Sequence, residues 1–375
     1  MSENSWQDKG YGDYFETLSK QLNKSKNGLV KPYNEEKQNL KTVKSKKGGV
    51  FRLRKSVVAV FLAVVLVAVC LTFNGFSKSS NKTDSNKETE KTTSSVSKQE
   101  KKERPIKIEY AFNEDTAEIT TENDAKSVIV IDKQTNTVVA ERNAHQKAFP
   151  ASTTKIMTVL VALEHLKDME DTFTMTLDVT DPLFVADASV AGFLNNEQVC
   201  VKDLFYGTLL PSGADAAMGL ALKTAGSEEE FVKLMNKKAK DLGLENTHFA
   251  NVTGLHDEQN YTTAYDLAII LDAAMQNEFC KKMLSTEDYT TQETLKHPDG
   301  MELSNTIFRY MYGTEPEIAT ILGGKTGFVN ESGYCIASFG KNNLNGNEYI
   351  VVTLGNSARK PAFRGQFALY KEFAK

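Results

Sequence analysis

Between Ser56 and Ser77 the chain carries no charged residue and is dominated by Val, Leu, Ala and Phe. About 20 apolar residues suffice to cross a bilayer as a helix, so this run divides the chain before any other feature is read. Lys41, Lys44, Lys46, Lys47, Arg52, Arg54 and Lys55 precede it with no acidic residue among them. Basic residues tend to stay on the cytoplasmic side, which predicts a cytoplasmic, disordered segment at 1–55 and a single-pass transmembrane helix at 56–76. Everything after that helix is then extracytoplasmic, at the cell membrane. A cleaved signal peptide fits poorly, because the apolar run starts late, is long, and lacks an A-x-A exit.

Residues 77–106 are almost all Ser, Lys, Thr, Asn, Glu and Gln. Such a segment buries too little surface to offset its ordering entropy, which predicts a flexible polar linker with a reach of roughly 30 Å. The texture changes near Pro105, and residues 107–375 read as one folded catalytic domain. Ser127–Asp132 and Thr137–Glu141 read as a hairpin, and Gly333–Ser338 and Glu348–Leu354 as late strands. Helical spacing is expected over 153–166, 202–210, 214–225, 227–242, 264–276 and 363–373. Strands at both ends with helices between predict an α/β (α+β) fold. Its antiparallel sheet forms from both ends of the domain, flanked by helices, with a mainly helical insert.

A formal net charge of −4 gives no case for a nucleic-acid partner. Four cysteines, Cys70, Cys200, Cys280 and Cys335, include no CxxC pair and read as buried small hydrophobes. The five histidines form no HExxH or other close ligand pair, so neither a metal nor another cofactor is expected.

Three short motifs carry chemistry. In Ser152-Thr-Thr-Lys155 the i and i+3 positions share one helix face, so hydroxyl and ammonium can meet. A serine needs a base to attack an amide, and a lysine serves only if burial or neighbouring cations lower its pKa. In Pro211-Ser-Gly-Ala-Asp215, Ser212 offers a second hydroxyl for proton relay, and Asp215 reads as structural. In Gly324-Lys-Thr-Gly-Phe328, Lys325 and Thr326 are placed to hold a carboxylate, and Gly327 leaves room for substrate backbone. A phosphate loop is the competing reading of Gly-Lys-Thr, but the pattern requires glycine where Ala319 stands, and the segment feeds a strand.

In this order the motifs resemble those of the serine D-peptidases and serine β-lactamases, whose SxxK, S-D-N-like and KTG elements line one cleft. In detail the chain resembles the low-molecular-mass penicillin-binding proteins that act as D-alanyl-D-alanine carboxypeptidases. The likeness rests on Phe149-Pro-Ala-Ser-Thr-Thr-Lys-Ile-Met-Thr158, Leu209-Leu-Pro-Ser-Gly-Ala-Asp-Ala-Ala217, Asn251-Val-Thr-Gly-Leu-His256, Tyr261-Thr-Thr-Ala264 and Gly324–Phe328.

The resemblance implies a β-lactamase/transpeptidase-like fold and an acyl-enzyme on Ser152. It makes Lys155 the base and Ser212 a relay. Lys325, Thr326, Gly327 and Phe328 become substrate-binding, with the N–H groups of Ser152 and Phe328 as the oxyanion hole. Substrates would be peptidoglycan stem peptides ending in D-Ala-D-Ala, with β-lactams as covalent inhibitors. Alternatives are a D,D-endopeptidase, a β-lactamase of the same fold, or a non-catalytic cell-wall-binding module. One departure stands out: the family usually has asparagine at the third position of the second motif, and this chain has Ala214.

Overall fold

The computed structural model describes residues 108–119, 123–311 and 317–375. The expected cytoplasmic segment, membrane span and linker all lie outside the described residues. No helix among those described is long and apolar enough to cross a membrane.

The first hairpin follows its alternation. Strand β2 (Ser127–Asp132) pairs antiparallel with β3 (Thr137–Arg142). The turn between them is shaped by Asp132, whose Oδ1 accepts from Gln134 N at 2.7 Å, and by Asn136 at φ 54°. An Asx turn followed by a left-handed Asn is the local chemistry that reverses a chain here. The chain's last third returns to the same sheet. Strands β8 (Ala319–Val329), β9 (Gly333–Asn342) and β10 (Glu348–Asn356) run antiparallel, and β10 seats itself against β2. A two-residue β1 (Ala117–Glu118) adds a parallel edge, giving the order β1-β3-β2-β10-β9-β8. Among the described residues strand β8 therefore ends the sheet, paired on one side only.

Successive side chains of a strand point to opposite faces, and the two central strands are apolar on both. Ile129, Ile131, Ile350 and Val352 join the larger core on one face; Val128, Val130, Tyr349 and Val351 join a smaller core on the other. The larger core is built by helices that the sequence spacing locates well. They are α1 (Lys155–His165), α3 (Val201–Leu209), α4 (Ala214–Ala225), α5 (Glu228–Asp241) and α6 (Ala264–Met275). Helix α1 is buried at every position from Lys155 to Leu163, as befits a central helix that is packed on all sides. Helix α5 shows the opposite, surface pattern. Ser227 Oγ accepts from Glu230 N at 3.2 Å, three glutamates fill the first turn, and Lys238 and Lys240 fill the last. Each charge opposes the helix dipole.

The sequence pattern does not resolve the shorter elements. Helix α2 (Leu177–Val185) contains Pro182, while α7 (Glu278–Leu284) and α8 (Thr306–Met311) have seven and six residues. Strands β4 (Thr172–Thr174), β5 (Gln198–Cys200), β6 (Asp288–Thr290) and β7 (Glu302–Ser304) have three residues each, too few to show a period. The last helix, α9 (Arg359–Phe373), starts one turn earlier than the expected Phe363. Pro361 lies in that first turn, where a missing N–H costs nothing because no intrahelical acceptor is waiting for it. Cys200, Cys280 and Cys335 are buried and unpaired.

Helix α9 is joined to the sheet by polar contacts as well as apolar ones. Buried Gln366 donates through Nε2 to Ser338 Oγ (2.7 Å) and to the Val351 carbonyl (2.9 Å), and its Oε1 accepts from Thr353 Oγ1 at 3.1 Å. Replacing Gln366 with leucine strands those partners in a dry interface. Urea denaturation of Gln366→Leu should show a loss of about 2–4 kcal/mol; a loss well under 1 kcal/mol would show that the network contributes little.

Candidate active site

The first motif folds as a 3₁₀ turn (Ala151–Thr154) feeding directly into α1. Ala151 is held at φ 48°, a left-handed conformation that few alanines adopt, and this kink presents Ser152 at the head of the helix. Two glycines close on the kink from either side. Gly254 has φ +79°, and a Cβ there would sit 1.9 Å from the Ala151 carbonyl oxygen. On the strand side, a Cβ at Gly327 would lie 2.9 Å from Ser152 N. Neither position tolerates a side chain, so backbone packs on backbone around the serine. Gly327 also lines the cleft, yet what lies against its Cα is the Ser152 turn, not the open channel that sequence suggested.

That packing buries Lys155. Its Nζ donates to Ser152 Oγ at 3.0 Å and to the Thr253 carbonyl at 2.6 Å. The Thr253 carbonyl is delivered by the Asn251-Val-Thr-Gly254 segment. There Asn251 Oδ1 accepts from Gly254 N (2.7 Å) and Thr253 N (3.2 Å), bending the backbone toward the lysine. Burial pulls the Lys155 amine down to about 7, and the Asp215 carboxylate opposes that shift.

Ser212 sits between α3 and α4 at φ 67°, buried, with no hydrogen-bond partner for its Oγ in the described structure. A buried, unpartnered hydroxyl on a strained residue is costly, of order 1–3 kcal/mol on each count. It lines the same cavity as Ser152. Ala214 begins α4, and its N–H donates to the Ser189 carbonyl at 2.8 Å. Asp215, fully buried, accepts from the N–H groups of Ala191, Gly192, Phe193 and Ala216 at 2.7–3.1 Å. Burial still holds its carboxyl above the ordinary range.

The third motif lies on β8, where alternation splits its residues. Thr326 lines the cleft, and its Oγ1 is 2.7 Å from that of Thr306. Lys325 points to the other face. It is fully buried, donates to the Thr326 carbonyl at 2.9 Å, and does not line the cavity. Burial, with the neighbouring Lys155 charge, pulls its amine well below the usual lysine value. The expected carboxylate ligand is thus a buried group that does not reach the cavity. Phe328 is 47% exposed at the mouth, stacked on Tyr334 with centroids 4.3 Å apart.

The cavity, about 220 Å³, also receives residues that no motif announced: Ser189, Thr306, Tyr310 and Arg359. The Arg359 guanidinium lies 4.5 Å over the Tyr310 ring. It arrives on the first turn of α9, far along the chain from the third motif, and only the sheet brings the two together. The Asn-Val-Thr-Gly run was legible in the sequence only through the family resemblance, and the use of a backbone carbonyl leaves no trace in a sequence. His256 packs edge-on against Phe149. Among the described residues no group of three His, Cys, Asp or Glu side chains is placed to hold a metal ion.

Known proteins share this arrangement of chain. The sequence profile of the D-alanyl-D-alanine carboxypeptidases matches residues 113–358. The D-alanyl-D-alanine carboxypeptidase DacF of Bacillus subtilis is 36% identical over 260 residues, covering 67% of this chain and 62% of its own length. DacC of Escherichia coli is 33% identical over 237 residues, 56% of this chain and 59% of its own. The chain therefore spans about three-fifths of the length of these curated relatives. Among solved structures, the Streptomyces K15 DD-transpeptidase superposes with TM-score 0.57 at 30% identity, over 66% of this chain and 94% of that one. Penicillin binding protein 5 from Haemophilus influenzae gives 0.58 at 27%, over 68% and 71%. With a match across most of the folded region, the chain belongs to the D-alanyl-D-alanine carboxypeptidase family.

Proposed function

We propose that this protein is a serine-type D-Ala-D-Ala carboxypeptidase that removes the terminal D-alanine from peptidoglycan pentapeptides. One observation carries the reading: a buried lysine amine, drawn down to about 7, stands 3.0 Å from a serine hydroxyl at the head of a helix. In its neutral form Lys155 takes the Ser152 proton as Oγ attacks the carbonyl between the two D-alanines. The oxyanion is received by the N–H groups of Ser152 and Phe328, preorganised donors of the kind worth a few kcal/mol each. The Ser212 hydroxyl, unpartnered until substrate arrives, hands the proton to the leaving amine. Water then cleaves the ester and restores Ser152.

The terminal carboxylate is met by the Thr326 hydroxyl and by Arg359, whose planar guanidinium lines the cleft where Lys325 does not. Lys325 lies beneath, where burial and the Lys155 charge pull its own amine down. A β-lactam would enter the same cleft and leave a slowly hydrolysed ester on Ser152. The Ser56–Ser77 run, with its basic flank, supports tethering of the domain at the outer face of the cell membrane.

Two experiments test this. Incubated with a labelled penicillin and a pentapeptide ending in D-Ala-D-Ala, the protein should take up label and release D-alanine, and Ser152→Ala should do neither. Rapid penicillin turnover without D-alanine release would indicate a β-lactamase, and no reaction with either reagent a wall-binding module. Because the base works only unprotonated, kcat/KM should rise with pH and level off above about 7, falling roughly tenfold per unit below that limb. A rate independent of pH between 5 and 8 would remove Lys155 from the role.

A further inference from the structure

An extended peptide lying along β8 uses the strand's unpaired edge on one side and faces the opposite wall of the cleft on the other. Edge strands bind extended chains in this way, with main-chain hydrogen bonds on the strand side. The opposite wall is made by Ser189, Pro211 and Ser212. Pro211 has no N–H, Ser212 is buried, and Ala214 behind them is apolar and buried. On that wall Ser189 alone has an exposed hydrogen-bonding side chain.

Ser189 belongs to a segment without regular structure, yet its place is fixed. Its carbonyl accepts from Ala214 N at 2.8 Å, and the next residues are gathered by Asp215 through the N–H groups of Ala191, Gly192 and Phe193. The approach is close enough that a Cβ at Gly213 would lie 2.7 Å from Ala191 N. A fully buried carboxylate that accepts from three consecutive N–H groups of a surface segment holds that segment against the first turn of α4. It holds it at the point where Ser189 meets the cleft.

We infer that Ser189 is a substrate-contacting residue, hydrogen-bonding the peptide backbone on the N-terminal side of the scissile bond, and that Asp215 is the positioning residue that sets its hydroxyl there. This rests on the carboxypeptidase reading of the same cleft. Asp215 touches no substrate; besides the effect of its charge on Lys155, it acts through the 189–193 backbone. The contact adds an exposed hydroxyl to a wall whose other lining residues are Pro211 and the buried Ser212.

The test is a double-mutant cycle on the full chain, read as kcat and KM for a D-Ala-D-Ala pentapeptide and as the rate of labelling by a fluorescent penicillin. Ser189→Ala should lower kcat/KM about three- to tenfold, the usual worth of one neutral hydrogen bond, while Ser189→Thr retains most of it. Asp215→Asn keeps the size but cannot accept from all four N–H groups, and should lose at least as much. Adding Ser189→Ala to Asp215→Asn should cost little more, because residues acting as one unit are non-additive. Wild-type kinetics in Ser189→Ala would overturn the contact, and fully multiplicative losses would overturn the positioning role. If Asp215→Asn fails to fold, the two Ser189 variants at their exposed position still decide the contact. A wild type that neither takes up label nor releases D-alanine overturns this inference and the function beneath it together; a labelled, active wild type with an indifferent Ser189→Ala overturns this inference alone.

Discussion

The chemistry proposed for this protein depends on keeping one lysine amine dry. An ammonium group loses most of its hydration when buried, so the site favours the neutral form, and a neutral amine is a base. The burial is made by backbone. The Gly254 turn and the Gly327 position on β8 press on the Ala151–Ser152 kink so closely that no side chain fits between them. The Thr253 carbonyl gives the amine a neutral acceptor, fixing its position without restoring its charge.

The fold supplies what that closure needs. Helix α1 is buried on all sides, so the head of the helix cannot drift relative to the sheet. Strand β8 lies at the end of the sheet order, which lets one face of its third motif reach under the serine while the other face lines an open cleft. Period-two alternation separates Lys325 from Thr326, and this is why two adjacent residues work in different environments. Helix α4 completes the arrangement: its first turn carries Asp215, and the preceding residue pair carries the strained Ser212.

The cleft is two-sided in chemistry as well as shape. Hydroxyls from Ser152, Ser189, Ser212, Thr306 and Thr326 line the cavity, and Tyr310, Phe328, Tyr334 and Arg359 line it with them. Hydroxyls can donate or accept as a reaction proceeds, which suits a site where protons move. A guanidinium stacked on tyrosine presents planar paired donors, the geometry that a carboxylate of the proposed substrate would meet.

The sequence by itself determined the long elements and the spacing of Ser152 and Lys155. The strands at 127–132 and 348–354 and the helices at 214–225 and 264–276 emerge because their apolar spacing spans several periods. Ser152 and Lys155 are one helical turn apart whatever surrounds them. Elements of three to seven residues show no period, and a proline in the first turn of α9 reads as a break where the structure has a start. Tertiary structure alone decided that Lys325 lies under the floor, that Arg359 comes to the cleft from the chain's far end, and that a carbonyl of Thr253 holds the base. Those outcomes come from contacts between segments far apart in the chain, 98 residues for Lys155 and Thr253, and from backbone atoms that every residue shares. Spacing along a chain encodes neither.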